Sequence, residues 1–293
     1  MIKVMSSPRV WKEEHGRAAG IKFSSYGSGL ALFLFHGFGG KPEDWKFLIE
    51  GLASNFRVII PNLSSITLSE PRLSFQEQVN HLHRFIDELV GEKASVGLLG
   101  ASYGGALTWA INATLGGRVV ESIYINPMPP FPGRYLQHGF FRPFLFLSRF
   151  EWISYLLLST PPGKSLVKYL LDAFYNEWPE RVTSVGRLKQ RHRRIVARIL
   201  KRFNDLLHST DWRGWSSKIS TMPSPSLLIV GGRDRLFRYG AYESLQQSLG
   251  SCELVVISEL SHRVSESVVP QITQLIAKRF DNHFEPGNQT VGP

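Results

Sequence analysis

Residues 95–106 read Ser95-Val96-Gly97-Leu98-Leu99-Gly100-Ala101-Ser102-Tyr103-Gly104-Gly105-Ala106. An apolar, strand-like segment (95–99) enters Gly100-Ala101-Ser102-Tyr103-Gly104, and a helix-forming segment, Gly104 to Leu115, leaves it. The pentapeptide fits Gly-x-Ser-x-Gly. A serine on a sharp strand-to-helix turn holds its oxygen clear of a sheet, and small neighbours let the backbone turn tightly. Composition alone would produce this pattern about 0.2 times in such a chain, so its weight comes from the strand before it and the helix after it. Gly105 and Ala106 keep the helix start narrow. The plain alternative is a glycine-rich turn with a bystander serine.

The same alternation extends outward in both directions. Residues 20–26, 31–35, 57–61 and 120–125 are short apolar runs of strand length, and so are 226–230 and 254–257. Between them, apolar residues recur at helical spacing over 43–53, 74–89, 240–249 and 266–280. Phe75, Val79, Leu82, Phe85, Ile86 and Leu89 mark one face of the second of these. Strands alternating with helices predict an α/β fold with a mostly parallel twisted sheet, covered by helices on both faces. The alternation stops over 127–218, a mostly helical stretch rich in aromatics, prolines and arginines. The expected organisation is therefore a core of 1–126 and 219–284, an inserted helical cap of 127–218, and an unstructured tail of 285–293.

A serine hydroxyl needs a base, and the base needs an orienting group. Asp234 follows the strand 226–230, in Gly231-Gly232-Arg233-Asp234-Arg235. His262 follows the strand 254–257, in Ser258-Glu259-Leu260-Ser261-His262. Both fall where loops gather at the carboxyl edge of a parallel sheet. The chain order Ser102, Asp234, His262 is the one required for this chemistry on such a sheet. Asp205 and Asp211 lie in the cap segment, and the strand ending at Ile125 is followed by Asn126 rather than a carboxylate. His81 and His83, two apart on one helix, face different sides. The turn His36-Gly37-Phe38-Gly39-Gly40 follows the strand 31–35. Such a loop offers backbone N–H groups to a developing oxyanion, and the expected donors are the amides of Phe38 and Tyr103. His36, ahead of that turn, reads as a structural hydrogen-bonder.

These residues resemble those of the α/β-hydrolase superfamily, which includes esterases, lipases, thioesterases and C–C bond hydrolases. The similarity covers nearly the whole chain outside the cap and tail. It implies a Ser102–Asp234–His262 triad with no metal and no cofactor, and an oxyanion hole at Phe38 and Tyr103. Two positions depart from common relatives. The run Asn62 to Ser69 replaces an Asp-x-x-Gly-x-Gly-x-Ser segment, and Ser261 stands where glycine usually precedes the histidine. A dehalogenase is disfavoured, since its nucleophile in this fold is a carboxylate. The expected activity is hydrolysis of a carboxylic ester or thioester with an apolar acyl group. Acyl transfer by the same triad and a non-catalytic docking protein are the alternatives.

Charge is unevenly placed. The net charge is +10, and residues 127–218 hold 16 Lys/Arg against 6 Asp/Glu, while the remainder holds 18 of each. The cap also carries Phe131, Tyr135, Phe140, Phe141, Phe144, Phe146, Phe150, Trp152 and Tyr155. They suit an apolar acyl group, although most are expected simply to bind cap to core. Residues 187–207 form an amphipathic pattern, with Leu188, Ile195, Ile199, Phe203 and Leu206 near one stripe and basic residues around it. This segment suits an anionic membrane or an anionic carrier, or stands simply as a solvated basic face; nucleic acid is not expected. With one cysteine, Cys252, no internal disulfide forms. The start of the chain lacks an apolar signal region and no run of 18 apolar residues occurs, so the expected location is the cytoplasm.

Overall fold

The computed structural model describes residues 12–137, 146, 148–165, 190–209, 211–220 and 224–284. The expected tail 285–293, the aromatics Phe140, Phe141 and Phe144, and Leu188 lie outside the described residues.

Eight strands form one sheet: β1 (Glu14–Ala18), β2 (Ile21–Tyr26), β3 (Leu30–Phe35), β4 (Phe56–Pro61), β5 (Val96–Ala101), β6 (Val119–Ile125), β7 (Ser226–Gly231) and β8 (Cys252–Ile257). Their order is β1-β2-β4-β3-β5-β6-β7-β8. Pairs β1–β2 and β2–β4 are antiparallel, and every other pair is parallel. All the expected strands form. β1 was not anticipated. It buries only Ala18, so it carries no apolar signal, and it pairs with β2 across Ala19–Gly20, both at positive φ.

β3 shows how the sequence fills two layers. Its residues Leu32, Phe33, Leu34 and Phe35 are all fully buried, and they alternate between two apolar cores. Phe33 and Phe35 join the core beneath α3 (Phe75–Val90) and α4 (Tyr103–Leu115). Leu32 and Leu34 join the opposite core, beneath α1 (Lys46–Leu52) and α9 (Val269–Phe284). A period of two in a strand covered on both faces requires this division. The short helix α2 (Ser64–Thr67) follows β4 in the run 62–69. Helix α3 starts at a capping box, in which Ser74 Oγ accepts from Glu77 N at 3.2 Å and Glu77 Oε2 accepts from Ser74 N at 2.7 Å.

Between β6 and β7 lie α5 (Glu151–Ser159), α6 (Gln190–Leu207) and α7 (Trp212–Ile219), the helical insertion. α8 (Tyr239–Ser248) follows β7. Of the aromatics expected to bind the insertion to the core, Phe131, Tyr135 and Tyr155 pack against it, and two others that were not singled out join them. Trp212 and Trp215 of α7 are buried with Phe75 and Trp109, with ring centroids 4.8–6.1 Å apart. Phe146, Phe150 and Trp152 are instead exposed. Asp211 adds a polar tie, accepting from Phe75 N at 3.1 Å at the start of α3.

Candidate active site

Ser102 joins β5 to α4 at φ 53°, ψ −119°, a left-handed conformation that non-glycine residues rarely adopt. The turn is fixed from outside. Ser102 N donates to Ile125 O at 3.1 Å, and Met128 N donates to Ser102 O at 2.8 Å. Two glycines are required by space. A Cβ at Gly104 would stand 1.8 Å from Phe35 O, and one at Gly100 would stand 2.1 Å from Thr108 Oγ1. α4 therefore starts directly against the ends of β3 and β5, which leaves the serine partly exposed above the sheet.

The three residues drawn from distant parts of the sequence meet here. His262 Nε2 lies 3.0 Å from Ser102 Oγ, and His262 Nδ1 lies 2.9 Å from Asp234 Oδ2. Asp234 and His262 are buried. With Nδ1–H donating to the carboxylate, Nε2 is left to accept from the serine. Burial alone would raise the Asp234 pKa. The facing imidazole and hydrogen bonds from His262, Tyr242 and Leu236 N outweigh it and hold the carboxyl below its ordinary value. Leu236 N donates to Oδ1 at 2.7 Å.

The turn after β3 stands beside the serine. A Cβ at Gly37 would lie 3.4 Å from Ser102 Cβ, and the turn closes through Gly40 N donating to Gly37 O at 3.0 Å. A Cβ at Gly40 would lie 2.9 Å from Asp44 Oδ2, while Gly39 takes φ 69°. Phe38 packs edge-on against Tyr103, with centroids 5.4 Å apart. Tyr103 is the first residue of α4, so its N–H has no partner within the helix. Its hydroxyl donates to Gln78 Oε1 at 2.7 Å. His36 accepts from Leu63 N through Nε2 at 3.1 Å and donates from Nδ1 to Gly37 O at 2.9 Å. That arrangement requires the neutral ring. Burial drives the His36 pKa down, against the opposing pull of Gly37 O.

Three positioning contacts were not anticipated. Tyr242 donates its hydroxyl to Asp234 Oδ2, the oxygen that also receives His262. Asn126 accepts from Gly231 N at 2.7 Å and donates to Ser261 O at 2.7 Å, joining the ends of β6 and β7 to the histidine loop. Gln137 donates to Asp234 O at 2.9 Å and to Phe237 O. Asn126 carries a readable signal, a polar residue immediately after a buried strand. Tyr242 and Gln137 carry none. From the insertion, α6 reaches the same place: Ile199 Cγ2 lies 3.4 Å from where a Gly39 Cβ would stand, and the Phe203 ring lies 5.8 Å from Phe38.

Solved structures share this architecture. A haloalkane dehalogenase from Bradyrhizobium elkani USDA94 superposes with a TM-score of 0.71 at 19% identity, covering 93% of this chain and 98% of that one. A candidate lipase from Acinetobacter baumannii AYE gives 0.70 at 18% identity, covering 93% of each chain. A meta-cleavage product hydrolase from Pseudomonas fluorescens IP01 gives 0.64 at 18% identity, covering 92% of this chain and 98% of that one. At these identities the likeness is one of fold. One curated relative is the dihydrolipoyllysine-residue acetyltransferase component of an acetoin cleaving system from Cupriavidus necator, 30% identical over 112 residues. That match spans 37% of this chain and 29% of the relative. Residues 32–271, from within β3 to within α9, match the family described as alpha/beta hydrolases. With that match spanning the parallel part of the sheet and the insertion, the chain belongs to the alpha/beta hydrolase family.

Proposed function

We propose that the protein is a serine hydrolase that cleaves a carboxylic ester or thioester through an acyl-enzyme at Ser102. The observation that carries this reading is the continuous relay from Ser102 Oγ through His262 to Asp234, with links of 3.0 and 2.9 Å. Ser102 attacks the carbonyl carbon as His262 Nε2 takes the hydroxyl proton. Asp234, held ionised, keeps the proton on Nδ1 and stabilises the imidazolium. The amides of Phe38 and Tyr103 donate to the oxyanion. The imidazolium then returns its proton to the leaving alkoxide or thiolate, and the acyl group remains on Ser102. Water, deprotonated by the same nitrogen, attacks the acyl-enzyme and releases the acid. No step calls for a metal or a cofactor.

The substrate's acyl group is apolar in this reading. Ile199 and Phe203 of α6 line the insertion's side of the Phe38–Gly39 loop, so the roof nearest the reacting carbon is apolar. Transfer of the acyl group to an alcohol or amine in place of water would use the same intermediate.

A chain-length series of p-nitrophenyl esters and acyl thioesters tests the proposal. Wild-type protein is expected to turn over the series, preferring longer chains, and Ser102→Ala to lose about 10⁶-fold in kcat. Added alcohols and amines would divert product if transfer competes. Hydrolysis undiminished in Ser102→Ala, or no turnover of any member, would overturn the proposal.

A further inference from the structure

Seven large apolar side chains are exposed among the described residues, and five of them lie on the insertion: Phe146, Phe150, Trp152, Leu156 and Ile195. Trp152 is 63% exposed, and Leu156, four residues on and hence on the same face of α5, is 52% exposed. The Phe150 and Trp152 rings lie 6.5 Å apart. Phe146 O accepts from Arg149 N at 3.2 Å in the turn that leads into α5. The Arg194 guanidinium lies 6.0 Å from the Tyr155 ring, which sets the end of α6 carrying Ile195 beside α5. A cluster of this kind marks an interaction surface.

Its charge indicates what it meets. Over residues 146–165 and 190–200, six Lys/Arg stand against one carboxylate, Glu151. Arg149 and Arg194 are exposed within the cluster. On α6, Arg198, Lys201 and Arg202 pair with carboxylates: Arg198 Nε lies 3.9 Å and Arg202 Nη2 2.9 Å from Glu70, and Lys201 Nζ lies 2.8 Å from Asp205. Over the stretch as a whole, net positive charge coincides with the exposed apolar residues. Exposed tryptophan and aliphatic side chains among arginines are the composition of a surface that sits at lipid headgroup level.

The path inward agrees. Ile195, Ile199 and Phe203 are spaced four apart on α6. The first is exposed, and the other two reach the Phe38–Gly39 loop beside Ser102. A bilayer seated on the outer end would meet an apolar stripe that leads to the nucleophile.

We infer that this face docks on an anionic lipid bilayer, with Trp152, Leu156 and Ile195 inserted at the interface and Arg149 and Arg194 against lipid phosphates. Docking stands apart from the chemistry at Ser102; only the delivery of a lipid-borne acyl group rests on the hydrolase reading.

Co-sedimentation of the full chain with phosphatidylglycerol/phosphatidylcholine vesicles tests the inference, with phosphatidylcholine vesicles as reference. The expected result is binding to the anionic vesicles that weakens with salt. Trp152→Ser/Leu156→Ser and, separately, Arg149→Glu/Arg194→Glu should each lower that binding by about tenfold or more. Neither double variant should change turnover of a soluble short-chain ester, which also checks that each is folded. Docking retained in a preparation without esterase activity would remove the hydrolase reading and leave this one standing. Failure to sediment with anionic vesicles, or binding untouched by both variants, would overturn it. So would a dimer in solution that Trp152→Ser/Leu156→Ser dissociates, since a second copy would then cover the face. Heparin binding that survives the apolar variant, with no vesicle binding, would assign the face to polyanions instead and likewise overturn it.

Discussion

At Asp234 two donors converge on one carboxylate oxygen, and one of them is a buried phenol. Burial first, and then the charge of Asp234, push the Tyr242 pKa well above its ordinary value, so the phenol remains a donor at every pH of interest. In Tyr242→Phe the Asp234 carboxyl loses one of the hydrogen bonds that hold its pKa down, so its pKa rises towards the ordinary value. The acid-side loss of unfolding stability should therefore set in at higher pH than in wild type. An unmoved acid-side loss would assign Tyr242 a packing role only. Gly104 gives a second residue-scale prediction. A Cβ there would collide with Phe35 O, a backbone atom that cannot rotate away. Gly104→Ala should cost about 1–3 kcal/mol or more in denaturant unfolding, and activity should fall further than stability because the serine turn shifts. The serine, aspartate and histidine were legible in the sequence because each follows an apolar strand-length run at the same sheet edge. Tyr242 was not, since a tyrosine on an amphipathic helix reads as core until its hydroxyl partner is seen.

Among the elements, α6 and α7 connect the insertion to the site. Trp212 is fully buried between Phe75 and Trp109, and its Nε1 donates to Leu206 O at 2.8 Å. Trp212→Ala should destabilise the protein by about 3–5 kcal/mol, measured by denaturant unfolding, because it opens a cavity and removes a buried hydrogen bond to Leu206 O. Phe203 tests a subtler role. Its ring braces Phe38, whose amide is a proposed oxyanion donor. Phe203→Ala should lower kcat on short esters, where acyl contacts are few, as well as on long ones. A loss confined to long acyl chains would limit Phe203 to substrate binding. The helices here were legible from their period of 3.6 residues. Their attachment was legible only in part: Phe131, Tyr135 and Tyr155 pack against the core as expected, Phe146, Phe150 and Trp152 are exposed, and Trp212 and Trp215 supply buried contacts that were not expected. Aromatic content identifies candidates for burial but not the face that finds a partner. β1 and α2 were missed for a different reason. One buries a single residue and the other is four residues long, too little for either period to register.

For the whole molecule, the parallel sheet brings segments more than 100 residues apart to one edge, and pH reports on how they are held. His36 is neutral in the folded protein because burial depresses its pKa below the ordinary imidazole value of 6.5. The unfolded chain takes up a proton near that value and the folded protein does not. Stability is thus fully present above about 6.5 and is lost as pH falls from there towards the folded pKa. Asp234, also depressed, adds a loss at more acidic pH, below the ordinary carboxyl range. Denaturation midpoints measured against pH should therefore fall below about 6.5, and more shallowly in His36→Gln than in wild type. Equal slopes in that window would mean that His36 is not held neutral.

Every step proposed for this site begins with Ser102 as an activated nucleophile. A fluorophosphonate probe, followed by peptide mass spectrometry, tests it most directly. One adduct is expected, on Ser102, formed rapidly by wild type, absent in Ser102→Ala and strongly slowed in His262→Ala. Folded wild-type protein that takes no label, or label that persists unchanged in Ser102→Ala, would contradict it.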